Sequence, residues 1–357
     1  MNKLHPSFRI HGEKLNEPAV VELAYSFIKE GLEFEQQIGS FLLDWMDVSS
    51  EVEVQTSGST GIPKSIFLKK QRMVNSALAT GSYFDLKPND SALLCLPASY
   101  IAGKMMLVRA MVLGLDIYFV PPTSTPLHEH LRTYDFGAMV PLQVANSLAD
   151  LHNIKIILVG GAPVTLELRN ALSVLENTIF ETYGMTETIT HIAVKALTKR
   201  NTKSELEPQA FETLPKVSVS KNEQDCLVIH APEVSDDVVV TNDVVELISS
   251  TQFIWLGRFD NVINSGGVKI HPEHVEAKLS STIESPFFIG SLPHKLLGSQ
   301  VVLVVEGTAD TIALMEKIRL NKSLNTYEIP KIIKTLAVFS RTESGKIKRK
   351  ETMALLW

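Results

Sequence analysis

The sequence predicts an α/β fold: a large N-terminal domain of mixed or parallel sheets covered by helices, followed by a small α+β C-terminal domain. Short apolar runs that end in Pro or Gly alternate with helix-period stretches through the first two thirds of the chain, as in sheets of buried parallel strands. A strand-rich section then leads into a shorter module of mixed pattern. The 357 residues, 45% hydrophobic and 21% charged, suffice for two or three domains with sizeable cores.

The strand-like runs of the first part are, in order, "EVEVQ", "SIFLKK", "SALLCLP", "DIYFVPP", "FGAMVP" and "IKIILVGGAP". Apolar residues recur with helical spacing over residues 104–113, 142–151 and 166–175, which predicts helices there. Residues 198–215 are polar and contain proline, so we expect an exposed loop.

The last third begins with a strand-rich section over residues 226–255. It continues into "QVVLVVEG", a predicted helix over residues 310–320 and a basic end, "SGKIKRKE". We place the domain boundary between residues 1–257 and 258–357.

Charge and cysteine content restrict the function classes. The formal net charge of −6 provides no basic surface of the kind that nucleic-acid-binding proteins carry. Cys95 and Cys226 lie in apolar strand-like runs without the spacing of a disulfide framework or metal site, which favours a reducing compartment.

No secretion or membrane signal stands out. The first residues, "MNKLHPSFRIHGEK", lack the apolar stretch of a signal peptide. The most apolar region, residues 93–120, is interrupted by Lys104, Arg109 and Asp116, so its pattern does not predict a membrane-spanning segment. We therefore expect a cytoplasmic protein.

The stretch "TSGSTGIPKS" at residues 56–65 nearly matches a nucleotide-binding Walker A loop. Gly58, Lys64 and Ser65 fall in register, but Pro63 occupies the place of the second glycine. Pro63 and the β-branched flanks favour a hairpin over the helix that follows a true Walker loop. A hairpin loop rich in Ser, Thr and Gly is able to wrap phosphate with backbone N–H groups; the alternative is a mobile surface turn.

Four stretches occur in order: "TSGSTGIPK", "ETYGMTET", "GRFDNVINSGGVKIHPEHVE" and "SGKIKRK". Together they resemble the motifs of the adenylate-forming superfamily of acyl-CoA synthetases, and the resemblance covers residues 52–349. The segment "LPASYIAGKMMLVRAMVLG" resembles the acyl-pocket segment of the o-succinylbenzoate–CoA ligases, the menaquinone-pathway branch of that superfamily. The resemblance implies the adenylate-forming enzyme fold, with a mobile small domain.

The resemblance also implies a two-step reaction that uses ATP, Mg²⁺ and CoA. A carboxylic acid attacks ATP to give an acyl-adenylate and pyrophosphate, and the CoA thiol then displaces AMP. The implied acid is 2-succinylbenzoate. Two alternatives remain open: a different acyl-CoA synthetase or an enzyme that delivers to a carrier-protein thiol, and a non-catalytic nucleotide-binding protein.

By resemblance, one group of residues binds the nucleotide. The phosphate loop comprises Thr56, Ser57, Gly58, Ser59, Thr60 and Gly61, with Lys64 at its edge. In "ETYGMTET", Tyr183 and Gly184 would lie against adenine, Thr186 on the α-phosphate and Glu187 on Mg²⁺; the alternative for Thr186 is a helix N-cap. In "GGAP", the residues Gly161, Ala162 and Pro163 would approach the adenine, or simply form a strand-to-helix turn.

Asp243 matches the superfamily's ribose-binding aspartate, and Arg258 would be a second ribose contact. Most members carry Thr-Gly-Asp there, whereas this chain has Thr241-Asn242-Asp243. Without the resemblance, both residues would be interpreted as surface charges.

The implied C-terminal residues act in different half-reactions. Asp260 matches the hinge between the domains, and Lys346 would bridge the carboxylate and the α-phosphate during adenylation. Gly266 and Gly267 would line the CoA tunnel. The alternative for Lys346 is a solvated lysine in a basic tail.

Arg109 carries the prediction of the acyl group. It shares a face of its predicted helix with Met105 and Val112, and a cation on an apolar stripe needs an anion. That anion is either a protein carboxylate such as Asp116 or the second carboxylate of a dicarboxylic substrate, and the resemblance favours the substrate.

Two further residues belong to the implied acyl pocket. His191 would line the pocket, or be a core histidine, and Tyr100 replaces a histidine that most relatives carry. Relatives also have a longer stretch before the phosphate loop. We therefore expect either a more open pocket or a homodimer whose partner covers the sheet.

Overall fold

The computed structural model of the protein describes residues 3–56, 64–128, 132–198, 210–341 and 347–356. The first part forms a helical hairpin, a β-hairpin and an alternating series of strands and helices. In chain order these elements are β1 (Arg9–Ile10), β2 (Glu13–Lys14), α1 (Glu17–Glu30), α2 (Glu33–Met46), β3 (Glu51–Thr56), β4 (Lys64–Lys69), α3 (Lys70–Phe84), β5 (Ser91–Leu94), α4 (Ile101–Leu113), β6 (Asp116–Phe119), β7 (Tyr134–Met139), α5 (Pro141–Asn146), β8 (Ile154–Val159), α6 (Leu166–Leu172), β9 (Thr178–Gly184) and β10 (His191–Ala196).

The rest of the chain is rich in strands and carries three short α-helices within the described residues. In chain order its elements are β11 (Phe211–Thr213), β12 (Ser218–Lys221), β13 (Cys226–His230), β14 (Val239–Ser249), β15 (Gln252–Arg258), β16 (Ile263–Ser265), β17 (Val268–Ile270), α7 (Pro272–Leu279), β18 (Phe287–His294), β19 (Gly298–Glu306), α8 (Thr311–Leu320), β20 (Ile332–Leu336) and α9 (Arg349–Ala354).

In the described part of the chain, the larger sheet has thirteen strands in the order β12-β13-β14-β15-β11-β10-β9-β8-β7-β5-β6-β1-β2. The run from β9 through β8, β7, β5 and β6 to β1 is parallel. The strands from β9 to β12 pair antiparallel. The predicted α/β fold with mixed and parallel pairing is confirmed.

The second sheet has the order β17-β16-β19-β18, with β20 parallel to β19. Its apolar residues form clusters of their own, built around Val275, Leu303 and Ile318 on one face and around Phe288 and Val304 on the other. The larger sheet buries separate clusters. The division into two domains, residues 1–257 and 258–357, stays a prediction.

Helix α4 is buried on nearly all sides from Gly103 to Met111. At Gly103 an added Cβ would lie 2.2 Å from the carbonyl oxygen of Pro97, so only glycine permits this close approach. The helix ends at Gly114, whose φ of 76° is left-handed. Burial on all sides means that any polar side chain of α4 needs a partner inside the protein.

Predicted boundaries differ from the structure at three places besides the start of α4, which lies at Ile101 rather than at residue 104. The helix over residues 142–151 ends at Asn146, because Asn and Ser favour turns over helix interiors, and the helix over residues 166–175 ends at Leu172. The predicted loop over residues 198–215 was wrong for residues 211–213, which form β11 with Phe211 buried against the sheet.

The two cysteines are buried thiols without a disulfide, as the sequence predicts. No helix within the described residues combines the length and apolar character needed to cross a bilayer.

Candidate active site

The predicted hairpin at the phosphate loop is present. β3 pairs antiparallel with β4, and Thr56 lies opposite Lys64 at the end of the ladder. The chain continues from Lys64 as a strand, and the next helix begins only at Lys70. This geometry excludes a Walker loop, which feeds directly into a helix N-terminus. Five predicted phosphate ligands lie outside the described residues: Ser57, Gly58, Ser59, Thr60 and Gly61.

The "GGAP" segment leaves β8 and reaches α6 through an exposed turn. Gly161 has a φ of +85°, and Ala162 and Pro163 are exposed. Thr165 then caps α6 by accepting a hydrogen bond from the N–H of Leu168 at 3.2 Å. The structure has the predicted strand-to-helix turn here, and the adenine contact stays a prediction.

Tyr183, Asp243 and Arg258 lie together, although 75 positions separate the first from the last in the sequence. The Tyr183 hydroxyl donates to Asp243 Oδ2 at 2.7 Å, and Trp255 Nε1 donates to Asp243 Oδ1 at 3.2 Å. Arg258 lies directly opposite Asp243 across β14 and β15, with Nε 3.8 Å from Oδ1. Burial and the Asp243 carboxylate raise the pKa of Tyr183, so the phenol remains a donor.

Thr186 and Glu187 lie on one turn of 3₁₀ helix directly after Tyr183 and Gly184. The predicted alternative, Thr186 as an N-cap, was wrong, because Met185 holds that position. The hydroxyl of Thr188, rather than that of Thr186, accepts the hydrogen bond from the Met185 N–H, at 3.2 Å. The Glu187 carboxylate is exposed, which leaves it available to a ligand.

Ile189 adopts a backbone conformation that is unusual for a β-branched residue. Its φ of 66° and ψ of −59°, with the N–H of Thr190 donating to the carbonyl oxygen of Thr188 at 2.7 Å, define a strained γ-turn. The turn brings Thr190 against Gly184, where an added Cβ would lie 2.2 Å from the Thr190 carbonyl oxygen. Gly184 is therefore required by the fold of this turn, and the turn delivers His191 to the start of β10.

The Arg109 guanidinium is fully buried among neutral groups. Its Nε lies 3.4 Å from Thr80 Oγ1, and one terminal nitrogen lies 3.4 Å from both Thr190 Oγ1 and His191 Nδ1. The other terminal nitrogen lies 3.6 Å from the sulfur of Met106, and no carboxylate within the described residues is in ion-pair range. Burial lowers the pKa of Arg109 to about 10, so the side chain is charged at neutral pH.

The predicted alternative partner, Asp116, is engaged elsewhere. One of its carboxylate oxygens accepts from the N–H of Gly12 at 2.9 Å, and the other accepts from the hydroxyl of Tyr118 at 2.8 Å. The pairing of Arg109 with Asp116 was therefore wrong. Asp116 instead ties the edge strands β1 and β2 to β6.

His191 and Tyr100 have opposite environments. His191 is 6% exposed, and burial, with the nearby Arg109 charge, holds its pKa well below the usual range. It is thus a buried neutral imidazole in contact with Arg109. Tyr100 is 51% exposed at the N-terminus of α4, and no contact in the described part of the chain joins it to Arg109 or His191.

Asn242, the departure from Thr-Gly-Asp, has a specific partner. Its amide donates to a carboxylate oxygen of Asp260, the predicted hinge residue. The neighbouring Asn261 donates to Glu273 Oε1 at 2.5 Å, so side chains hold the middle and the last residue of the short 3₁₀ turn at residues 259–261.

Gly266 and Gly267 form the two-residue turn of the β16–β17 hairpin, with φ values of 60° and 87°. Two consecutive positive φ values require residues such as glycine in a hairpin of this type. The fold alone therefore explains both glycines, and the CoA role stays a prediction. Lys346 lies outside the described residues.

Sequence reasoning missed Thr80, Thr190 and Trp255. Thr80 and Ser76 are polar residues one turn apart on the buried side of α3. Their spacing in the sequence could have indicated a polar contact inside the protein. Trp255 contacts Asp243 only because of the strand register, which no local pattern specifies.

A cavity of about 260 Å³ opens beside His191. Helix α3 contributes Ser76 and Ala79 to its lining, and the loop after β11 contributes Leu214 and Val217.

A model of the AMP-binding enzyme family matches residues 55–219. The chain is also 34% identical to a solved structure described as an acyl-CoA synthetase (AMP-forming)/AMP-acid ligase II-like protein from Dyadobacter fermentans. That alignment covers 94% of this chain and 98% of the other, with a TM-score of 0.61. The chain belongs to the AMP-binding enzyme family.

Other relatives within the AMP-binding enzyme family carry a more specific name. The 2-succinylbenzoate–CoA ligase of Listeria monocytogenes is 24% identical over 86% of this chain and 71% of its own length. The Salmonella typhimurium enzyme of the same name is 26% identical over 89% and 71%. The o-succinylbenzoate coenzyme A synthetase of Bacillus subtilis, solved with ATP and magnesium, has a TM-score of 0.72 at 19% identity over 87% of this chain and 74% of that one, a likeness of fold.

Proposed function

We propose that this protein is an ATP-dependent acid–thiol ligase that converts 2-succinylbenzoate and CoA to succinylbenzoyl-CoA, AMP and pyrophosphate in menaquinone biosynthesis. The proposal rests on the family membership, on relatives that carry this name, and on one feature of the site. That feature is the charge of Arg109, which has no anionic partner within the described residues.

Arg109 supports a dicarboxylic substrate because its charge has no anion within the described residues. A guanidinium has five N–H donors, and the contacts of Arg109 are long and lead only to neutral atoms. A buried charge without a partner is costly, so the protein keeps this cation for a ligand. The distal carboxylate of 2-succinylbenzoate is the proposed anion.

The β9–β10 hairpin supports a nucleotide site next to this cation. Tyr183, with its partner Asp243, lies on the β9 side of the turn, and His191 begins β10. In the proposal, Asp243 and Arg258 bind the ribose, and the phosphate hairpin holds the β- and γ-phosphates. Thr186 binds the α-phosphate, which places the reacting phosphorus between the nucleotide and acyl halves of the site.

The donor chemistry of this turn fits a magnesium ion. Mg²⁺ is usually bound by one or two carboxylates together with substrate phosphates, and Glu187 offers one exposed carboxylate beside Thr186. The described residues contain no cluster of three or more His, Cys, Asp or Glu side chains that could hold a metal by themselves. When bound, the ion would neutralise phosphate charge.

The remaining roles in the proposal belong to the C-terminal residues 258–357, taken as a separate domain that turns near Asp260. Lys346 neutralises charge between the carboxylate and the α-phosphate during adenylation. Gly266 and Gly267 admit the pantetheine arm of CoA for the second step.

Pyrophosphate release tests the proposal. The protein is incubated with ATP and Mg²⁺ and with each of a panel of acids: 2-succinylbenzoate, benzoate, a medium-chain fatty acid and malonate. We expect release with 2-succinylbenzoate, and acyl-CoA by mass spectrometry once CoA is added. Release with a different acid alone would point to another acyl-CoA synthetase. No release with any acid would favour a nucleotide-binding protein without this activity.

A further inference from the structure

We infer that Thr80 is a positioning residue: it fixes His191 in one tautomer and thereby holds Arg109 ready for a carboxylate. Thr80 lies on α3, away from every sequence motif, and its side chain is fully buried. The expected effect on substrate binding rests on the proposed function. The tautomer of His191 does not depend on that function.

The direction of the hydrogen bonds follows from Thr80. Its Oγ1 lies 3.0 Å from the carbonyl oxygen of Ser76, which has no proton to give, so Thr80 donates there. A hydroxyl has a single proton. Toward its other neighbours, Arg109 Nε at 3.4 Å and His191 Nε2 at 3.5 Å, Thr80 therefore acts as the acceptor.

This assignment determines the tautomer of His191. Nε2 must carry the proton, because a bare nitrogen facing the Thr80 lone pairs would be a contact between two acceptors. The neutral ring then has a bare Nδ1, which accepts from the Arg109 guanidinium at 3.4 Å. The opposite tautomer would point the Nδ1 proton at the N–H groups of Arg109 and leave a bare Nε2 facing the Thr80 lone pairs. Thr190 Oγ1 lies 3.5 Å from Nδ1 and is able to donate its proton to the bare nitrogen. The Nε2–H arrangement therefore gives each of these contacts one donor and one acceptor.

The arrangement orients Arg109 without neutralising it. Thr80 accepts from Nε of the guanidinium, whereas His191 Nδ1 and Thr190 Oγ1 accept from one terminal nitrogen. These neutral acceptors hold the plane of the guanidinium while leaving its charge for an anion. Loss of the Thr80 hydroxyl removes one hydrogen-bond acceptor from Arg109. It also removes the acceptor that keeps the proton of His191 on Nε2.

The first test is the tautomer itself, measured by ¹⁵N NMR of the imidazole rings in the full-length protein. The chain has ten histidines, so the His191 signals are assigned by their disappearance in His191→Gln. We expect wild-type His191 to be the neutral Nε2–H form. An Nδ1–H form in the wild type overturns the inference, whatever the variants or the activity show.

The second test compares Thr80→Val, which keeps the shape and removes the hydroxyl, with Thr80→Ser, which keeps the hydroxyl. In Thr80→Val we expect a mixed tautomer and a KM for 2-succinylbenzoate raised about tenfold, with kcat and the KM for benzoate nearly unchanged. Thr80→Ser should restore both readouts. Wild-type values in Thr80→Val, or failure of Thr80→Ser to rescue, would contradict a positioning role.

The two tests separate this inference from the proposed function. If no acid releases pyrophosphate, the proposed function fails, while the ¹⁵N spectra of wild type and Thr80→Ser still decide the role of Thr80. If Thr80→Val does not fold, the wild-type tautomer and the kinetics of Thr80→Ser decide whether Thr80 has this positioning role.

Discussion

The Tyr183 hydroxyl lies 2.7 Å from Asp243 Oδ2 and joins β9 to β14 across the larger sheet. Trp255 occupies the other oxygen of the same carboxylate. The aspartate proposed to bind ribose is therefore already fixed in place, and the phenol serves to hold it.

This relationship predicts unequal effects at the two positions. Asp243→Asn removes the charge that would accept from a ribose hydroxyl, so we expect the KM for ATP to rise by about tenfold to a hundredfold. Tyr183→Phe removes only a holding hydrogen bond, and we expect about a threefold rise. The measurement is pyrophosphate release as a function of ATP concentration. Equal losses in the two variants would instead assign the nucleotide contact to the Tyr183 hydroxyl.

The Arg109 charge predicts opposite effects on stability and function. Arg109→Met replaces a buried cation, which has no anion among the residues that the structure describes, by an apolar side chain of similar length. We therefore expect the free energy of unfolding to increase by about 1 kcal/mol. The same variant should raise the KM for 2-succinylbenzoate at least tenfold and leave the KM for benzoate little changed. Denaturant unfolding and steady-state kinetics supply both values.

Arg258→Met is the control for the Arg109 result, because Arg258 is half exposed and lies near Asp243. It should not gain stability. If Arg109→Met lost several kcal/mol of stability, Arg109 would have a structural partner, and a substrate carboxylate would not be needed to balance its charge.

Burial of neutral His191 predicts a pH-dependent stability. Its pKa is lowered in the folded protein, so between the ordinary value of about 6.5 and that lowered value, the unfolded chain binds a proton that the folded chain does not. Stability should therefore fall as the pH drops below about 6.5, by up to about 1.4 kcal/mol per pH unit from this group. His11, His271 and His274 also have lowered pKa values, so the difference between wild type and His191→Gln isolates the effect. A pH-independent difference would mean that His191 titrates normally.

The sequence was most informative where its signals were local. Alternating apolar runs predicted the parallel strands β5 to β8, and Pro63 with its β-branched flanks predicted the β3–β4 hairpin. Arg109 stood out because an arginine in an apolar helix is rare enough to need an explanation. Each of these signals acts over a few residues, within the reach of periodicity and turn chemistry.

The rest of the site depends on packing between distant elements. Thr80 meets Arg109 because α3 lies against α4, and Asp243 meets Arg258 because of one strand register among several that the apolar pattern allows. At Ile189 the local signal was misleading, since a β-branched residue favours extended backbone. The surrounding turn imposes the opposite sign of φ, and only the folded structure shows it.

The strained turn at Ile189 predicts a reversed order of two substitutions. At ordinary buried positions Gly is less stable than Ala by about 0.5–1 kcal/mol, because glycine loses more backbone entropy on folding. Ile189 has a φ of 66°, where the Cβ of alanine clashes with the backbone and glycine has no Cβ to clash. Ile189→Gly should therefore be at least as stable as Ile189→Ala. Both variants should be much less stable than wild type, since each leaves a cavity where a side chain only 2% exposed was packed.

The control is the same pair of substitutions at Ile192, which is buried in β10. There the Ala variant should be the more stable of the two. If Ile189 followed the order of Ile192 in denaturant unfolding, the backbone there would not be strained, and the turn would not be what delivers His191 to Arg109.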